Sequence, residues 1–106
     1  MFARFLEFSL TTEKEEFLNA LHAQLLPFLR QQPGFASAQL FFAEIRPEIG
    51  VLISLWDNKL SADRYEREGY PRWFELIKPF ATVRSVGRYH ADPSLPARLN
   101  GSSPTT

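Results

Sequence analysis

The stretch FASAQLFFAEIRPEIGVLISLWD, Phe35 to Asp57, constrains this chain more than any other. It reads as two strands, 35–45 and 50–57, joined by a turn around Arg46–Gly50. Successive side chains on a strand point to opposite faces, and here both faces are apolar. The first strand offers Leu40 and Phe42 to one side and Phe41, Ala43 and Ile45 to the other. The second sets Val51, Ile53 and Leu55 against Leu52 and Trp56. Leaving such side chains in water forgoes about 1.5–3 kcal/mol each. Whatever fold forms must therefore cover this hairpin on both sides.

The flanking segments supply one cover. Residues 2–9 alternate as a strand, with Phe2, Arg4, Leu6 and Phe8 on one face and Ala3, Phe5, Glu7 and Ser9 on the other. Thr12-Glu13-Lys14-Glu15 has capping-box spacing and predicts a helix from Thr12. Its apolar stripe is Phe17, Leu18, Leu21, Leu25, Phe28 and Leu29. Pro27 falls opposite the stripe and predicts a bend there, and Pro33-Gly34 ends the helix. After the hairpin, Ser61 is a candidate cap for a second helical region. Gly69 breaks that region, and it restarts with Pro71 at a tolerated first position. Residues 82–90 read as a fourth strand, with Arg84, Val86, Arg88 and His90 on one face and a bulge at Gly87. From Ala91 the composition turns to Pro, Ser, Gly, Asn and Thr, so residues 92–106 are expected to be a flexible tail to a single domain, 1–91.

The order β-α-β-β-α-β predicts an α+β, ferredoxin-like fold: a four-stranded antiparallel sheet with the helices on one face. The helices cover one face of the hairpin. A two-fold dimer, sheet against sheet, is the simplest cover for the other. Twelve basic and twelve acidic residues cancel, which argues against nucleic-acid binding. With no cysteine there is no thiol chemistry. The apolar N-terminus is short and interrupted by Arg4 and Glu7, unlike a signal peptide or membrane span. A cytoplasmic protein with no membrane partner is the expectation.

The capped first helix ending in Pro33-Gly34-Phe35, the hairpin ending in Trp56-Asp57, and the Ser61-Ala62-Asp63 start of the next helix together resemble the dimeric α+β barrel superfamily. Within it, the chain looks in particular like the antibiotic-biosynthesis-monooxygenase domain. The resemblance covers about residues 1–91. It implies a homodimer with facing sheets and a pocket between each sheet and its own helices. Proteins that the chain resembles include cofactor-independent quinone-forming oxygenases, haem-degrading enzymes and many small proteins without a known activity. Haem degradation would want an iron-ligating histidine in the second helical region, and residues 61–81 contain none. The expectation is a monooxygenase acting on a small aromatic, phenol- or quinone-type substrate with no cofactor and no metal. The alternative is a non-enzymatic dimeric module for ligand binding or assembly.

Candidate site residues follow from chemistry. Trp56 and Trp73, with Tyr65, Tyr70 and Phe74, either wall an aromatic pocket or fill a core. Asn58 either orients a ligand oxygen or forms a turn. His90, at the end of the last strand, is the candidate base. Arg84 and Arg88 either hold an anionic substrate or pair with Glu7 or Glu44. His22 reads as a partly buried structural residue, and Arg64, Glu66, Arg67 and Glu68 as a solvated helix face.

Overall fold

A computed structural model describes residues 1–95. The tail assignment for 96–106 lies outside the described residues. Four antiparallel strands form one sheet in the order β2-β3-β1-β4: β1 (Phe2–Leu10), β2 (Phe35–Phe42), β3 (Ile49–Trp56) and β4 (Ala81–His90). Helix α1 (Lys14–Ala20) runs through a π-helical turn (Leu21–Leu25) into α2 (Leu26–Arg30). Helices α3 (Lys59–Glu68) and α4 (Tyr70–Ile77) meet at Gly69. The order is the ferredoxin-like one expected, and all the helices pack on one face of the sheet.

That face is the core. Alternation on β1 buries Phe2, Arg4, Leu6 and Phe8, and β3 buries Leu52, Ser54 and Trp56. Leu21, Leu25 and Leu29, four residues apart, lie on them from the first helix. Phe42 belongs to this face: its ring meets Phe8 and Phe17 edge-on at 6.1 and 6.3 Å. Phe41, paired with Val51, therefore faces the other way and is half exposed. β2 ends at Phe42, short of the expected 45. The residues that follow turn, leaving Ile45 in solvent. There the Ile49 amide bonds to the Arg46 carbonyl.

Local departures have local causes. β1 continues to Leu10, and the Thr11 amide bonds to the Phe80 carbonyl, so Thr12 is still in the connection. The helix starts at Lys14 with Glu13 as its cap, and the capping box does not form. Pro27 is half-buried and lies within an unbroken helix. The π turn just before it, where the Leu26 amide reaches back to the Leu21 carbonyl, widens the coil and gives the proline ring room. Asn58, not Ser61, caps α3: its Oδ1 accepts from the Ser61 amide at 2.8 Å. The bulge in β4 is not at Gly87, which pairs regularly with Phe5. It lies where Glu7 and Phe8 meet Ser85 and Val83, leaving Arg84 as the extra residue. This turns Arg84 away from the face of Arg88, contrary to the expected shared face.

The turn before β2 runs close against the start of α3. Gly34 has φ 83°, and its carbonyl accepts from the Asp57 amide at 2.8 Å. A Cβ at Gly34 would fall 2.1 Å from the Ser61 hydroxyl. Gly34→Ala combines left-handed strain with a clash and is expected to cost roughly 2–4 kcal/mol. Urea unfolding should show this as a lowered midpoint with an unchanged slope.

Candidate functional site: a buried arginine under the third helix

β1 is a central strand, and its alternation drives Arg4 inward between Phe2 and Leu6. Only 3% of Arg4 is exposed. A guanidinium taken out of water at such a position needs a partner. Helix α3 supplies it. Asn58 starts this helix so that Ala62 and Tyr65 pack onto the sheet, with Glu66 at the edge of that face. Ala62 is fully buried, and its small side chain lets the helix approach closely. Glu66 then forks onto Arg4, with Nε to Oε1 at 2.9 Å and a terminal nitrogen to Oε2 at 3.2 Å. The guanidinium lies 4.0 Å from the centroid of the Tyr70 ring and 5.4 Å from that of Tyr65.

The cluster extends to the surface through β4. Arg88 stands directly opposite Arg4 in the register. Two like charges so placed repel, and Glu66 offsets this by also lying 3.5 Å from the Arg88 guanidinium. Arg88 pairs in turn with Asp63, which Lys59 holds at 2.8 Å. The Arg4 hydrogen bond and charge keep the Glu66 carboxyl below its ordinary range. Hydrogen bonds from Lys59 and then Arg88 do the same for Asp63. Burial pushes the Tyr65 phenol far above its usual range. Around neutral pH the cluster therefore holds fixed cations, ionised carboxylates and a protonated phenol. Three cations, Arg4, Arg88 and Lys59, thus face two carboxylates, Glu66 and Asp63.

The aromatic residues singled out from sequence meet here, as packing. Trp56 is fully buried, stacked on Tyr65 at 4.7 Å, with Phe35 edge-on at 5.5 Å. Its indole donates to the Ser54 hydroxyl at 3.0 Å. Trp73 is equally buried and donates to the Leu25 carbonyl at 3.2 Å. Tyr70 stacks on Trp73 and meets Tyr65 edge-on. Asn58 is occupied as the α3 cap. His90 is exposed, edge-on to Phe2 at 4.9 Å, and shares a face with Arg88 two residues before it. Arg84 pairs with Glu7 at 3.3 Å on the opposite face of the sheet. Six residues of strand, roughly 20 Å, separate it from His90. The structure thus groups Trp56, Tyr65 and Trp73, sets His90 with Arg88, and leaves Arg84 apart.

Two further sequence readings change. Glu66 is not part of a solvated face, because it neutralises a buried cation that the helix docks upon. His22 is exposed, not partly buried, at the mouth of a groove between the π turn and β2. Arg4 is the functional candidate that sequence reasoning passed over. Its signal was present: a lone charge at an inward position of an otherwise apolar alternation. Among the described residues no three His, Cys, Asp or Glu side chains gather as a metal site, and no helix is long and apolar enough to cross a membrane.

No family model and no curated protein matches the chain by sequence. Its fold is nevertheless similar to that of several solved structures. SnoaB, a cofactor-independent oxygenase from Streptomyces nogalater, superposes with a TM-score of 0.73 at 21% identity, over 90% of this chain and 96% of its own. HapK from Hahella chejuensis gives 0.74 at 13% identity, over 92% and 98%. An antibiotic biosynthesis monooxygenase gives 0.60 at 22% identity, over 88% and 100%. At these identities the likeness is one of fold.

The Arg4–Glu66 pair makes a pH-dependent prediction. Glu66→Gln leaves Arg4 buried without its counter-charge. This should cost about 2–3 kcal/mol at pH 7, below the roughly 3–5 kcal/mol of a fully buried pair because Glu66 is one-third exposed. Because the folded-state carboxyl is depressed, its contribution is complete above the ordinary value of 4.5 and fades as pH falls through the lower folded value. Urea unfolding at pH 7 and pH 3 should show the gap between wild type and variant narrowing at the lower pH.

Proposed function

We propose that the chain is a cofactor-independent monooxygenase for a small aromatic molecule of the phenol or quinone type. The observation that carries this reading is the cluster of Arg4, Arg88 and Lys59 around Glu66 and Asp63, one cation in excess, set among Tyr65 and Tyr70. Support comes from a fold similar to that of SnoaB, a cofactor-independent oxygenase. In such a reaction an activated CH2 next to a phenol loses a proton, and the carbanion adds dioxygen to form a hydroperoxide. Loss of water then leaves a carbonyl, so one oxygen enters the product and the other leaves as water. The protein's part is to favour the anion and to take the proton. Arg88, backed by Arg4, offsets the phenolate charge. His90, on the same strand face, is the base in this reading.

The filled interior favours a second reading. Trp56, Tyr65 and Trp73 are each at most 3% exposed, so they hold the core together between the helices and the sheet. An assembly module would need nothing more. Turnover separates the two. With an anthrone-type phenol and dioxygen, an enzyme forms quinone, read by its visible absorbance. His90→Ala should lower the rate about 100-fold and Arg88→Ala should lower it too, while Arg84→Ala leaves it unchanged. Absence of quinone would overturn the enzymatic reading.

The homodimer belongs to either reading. The sheet face away from the helices carries Ala3, Phe5, Phe41, Val51, Ile53, Leu55 and Tyr89. Phe5 and Tyr89 meet edge-on at 4.9 Å, so the patch is continuous across three strands. Paired face to face, two copies bury it as a largely apolar interface. Sedimentation at micromolar concentration should give about twice the 12.2 kDa chain mass. Phe41→Glu should shift the protein to the monomer.

A further inference from the structure

A second concavity lies on the far side of Tyr65 from the sheet, where the end of α2 meets α3 and α4. It is a cleft of about 360 Å³ lined by Phe28, Gln31, Gln32, Arg64, Glu68 and Arg72, with Tyr65 and Pro33 at its floor and rim. At roughly 30 Å³ per water-sized group this admits about a dozen heavy atoms.

Its chemistry is lopsided. Two guanidinium groups face one carboxylate. Arg64 uses Nε on Glu68 at 3.3 Å, leaving its terminal nitrogens uncommitted to that contact. Arg72 joins no ion pair among the described residues. Its guanidinium stands 5.9 Å from the centroid of the half-buried Phe28 ring. An apolar wall thus adjoins a free planar fork, the geometry that suits a carboxylate carried on a flat apolar body.

The remaining lining is held in place. Gln32 donates its amide nitrogen to the Phe28 carbonyl at 3.1 Å, so its side chain is fixed against the helix end. Gly69, at the α3–α4 junction, is buried beneath Gln32 and Tyr65. A Cβ there would meet the Gln32 Oε1 at 2.6 Å and the Tyr65 ring at 2.7 Å. Gln31 remains exposed at the edge and able to donate. The cleft therefore combines a preset wall and floor with an unpaired cation.

We propose that the cleft between the end of α2 and the α3–α4 junction binds a small organic carboxylate, its anion held by Arg72 and Arg64 and its apolar body laid on Phe28. The proposal is independent of any oxygenase activity. Benzoate is the probe, with benzamide as its uncharged isostere and inorganic phosphate as an anion without an apolar body. In a nitrogen-15 NMR titration, benzoate should give saturable shifts at Gln31, Gln32 and Gly69. Arg72→Gln should weaken binding at least tenfold, with the rest of the spectrum preserved. Arg64→Gln, also at an exposed position, should weaken it less. Benzamide and phosphate should not saturate. Non-saturating benzoate shifts, or equal binding by the Arg72→Gln protein, would overturn the site. Phosphate binding as tight as that of benzoate would overturn the role given to Phe28.

Discussion

One buried charge organises the helix side of this protein. The alternation of β1 carries Arg4 into the interior, where it is tolerable only with a carboxylate and with rings to lie against. Glu66, Tyr65 and Tyr70 meet those needs, and all three come from α3 and the start of α4. The angle and height at which α3 sits on the sheet therefore answer to an electrostatic requirement as much as to apolar burial. Asn58 and Ala62 serve the same end, one by starting the helix in phase and the other by letting it come close. Arg88 and Asp63 carry the network outward, so the interior charge is continuous with a charged mouth at the surface.

The other side of the sheet obeys a different rule. Phe5, Phe41, Val51, Ile53 and Leu55 lie on the face that the helices do not reach. The helix face is held by specific pairs, whereas this one offers mainly apolar area. The bulge in β4 separates the two regimes. By adding Arg84 to the strand it sends that cation to pair with Glu7 on the apolar face and leaves Arg88 to the cluster. A single extra residue thus assigns two similar arginines to opposite sides of the molecule.

Much of the fold was legible because periodicity is a local property. The alternation of residues 2–9, the leucines spaced along the first helix, and the breaks at Gly34 and Gly69 each follow from short-range rules. Less of the site was legible. Trp56, Tyr65 and Trp73 were recognisable as a group, since large aromatics at inward positions must gather. Whether they wall a space or fill it depends on how closely two layers pack, and here they fill it. Glu66 was misread because a charged helix position between other charges looks solvated until the strand beneath it is known. The capping box at Thr12 failed for a similar reason: the sheet claims residues through Leu10 and the Thr11 amide reaches Phe80.

The sequence by itself determined that this chain makes a two-faced hairpin, four strands and a ferredoxin-like order, because hydrophobic period and turn chemistry act within a few residues. Only the tertiary structure decided that Phe42 faces the core and Phe41 the open side, since a one-residue change of register exchanges the two sets. Only the tertiary structure, too, brought Arg4, Glu66 and Arg88 together. These residues stand on three different elements, and the interaction that joins them exists only once a low-dielectric interior has made an unpaired charge costly.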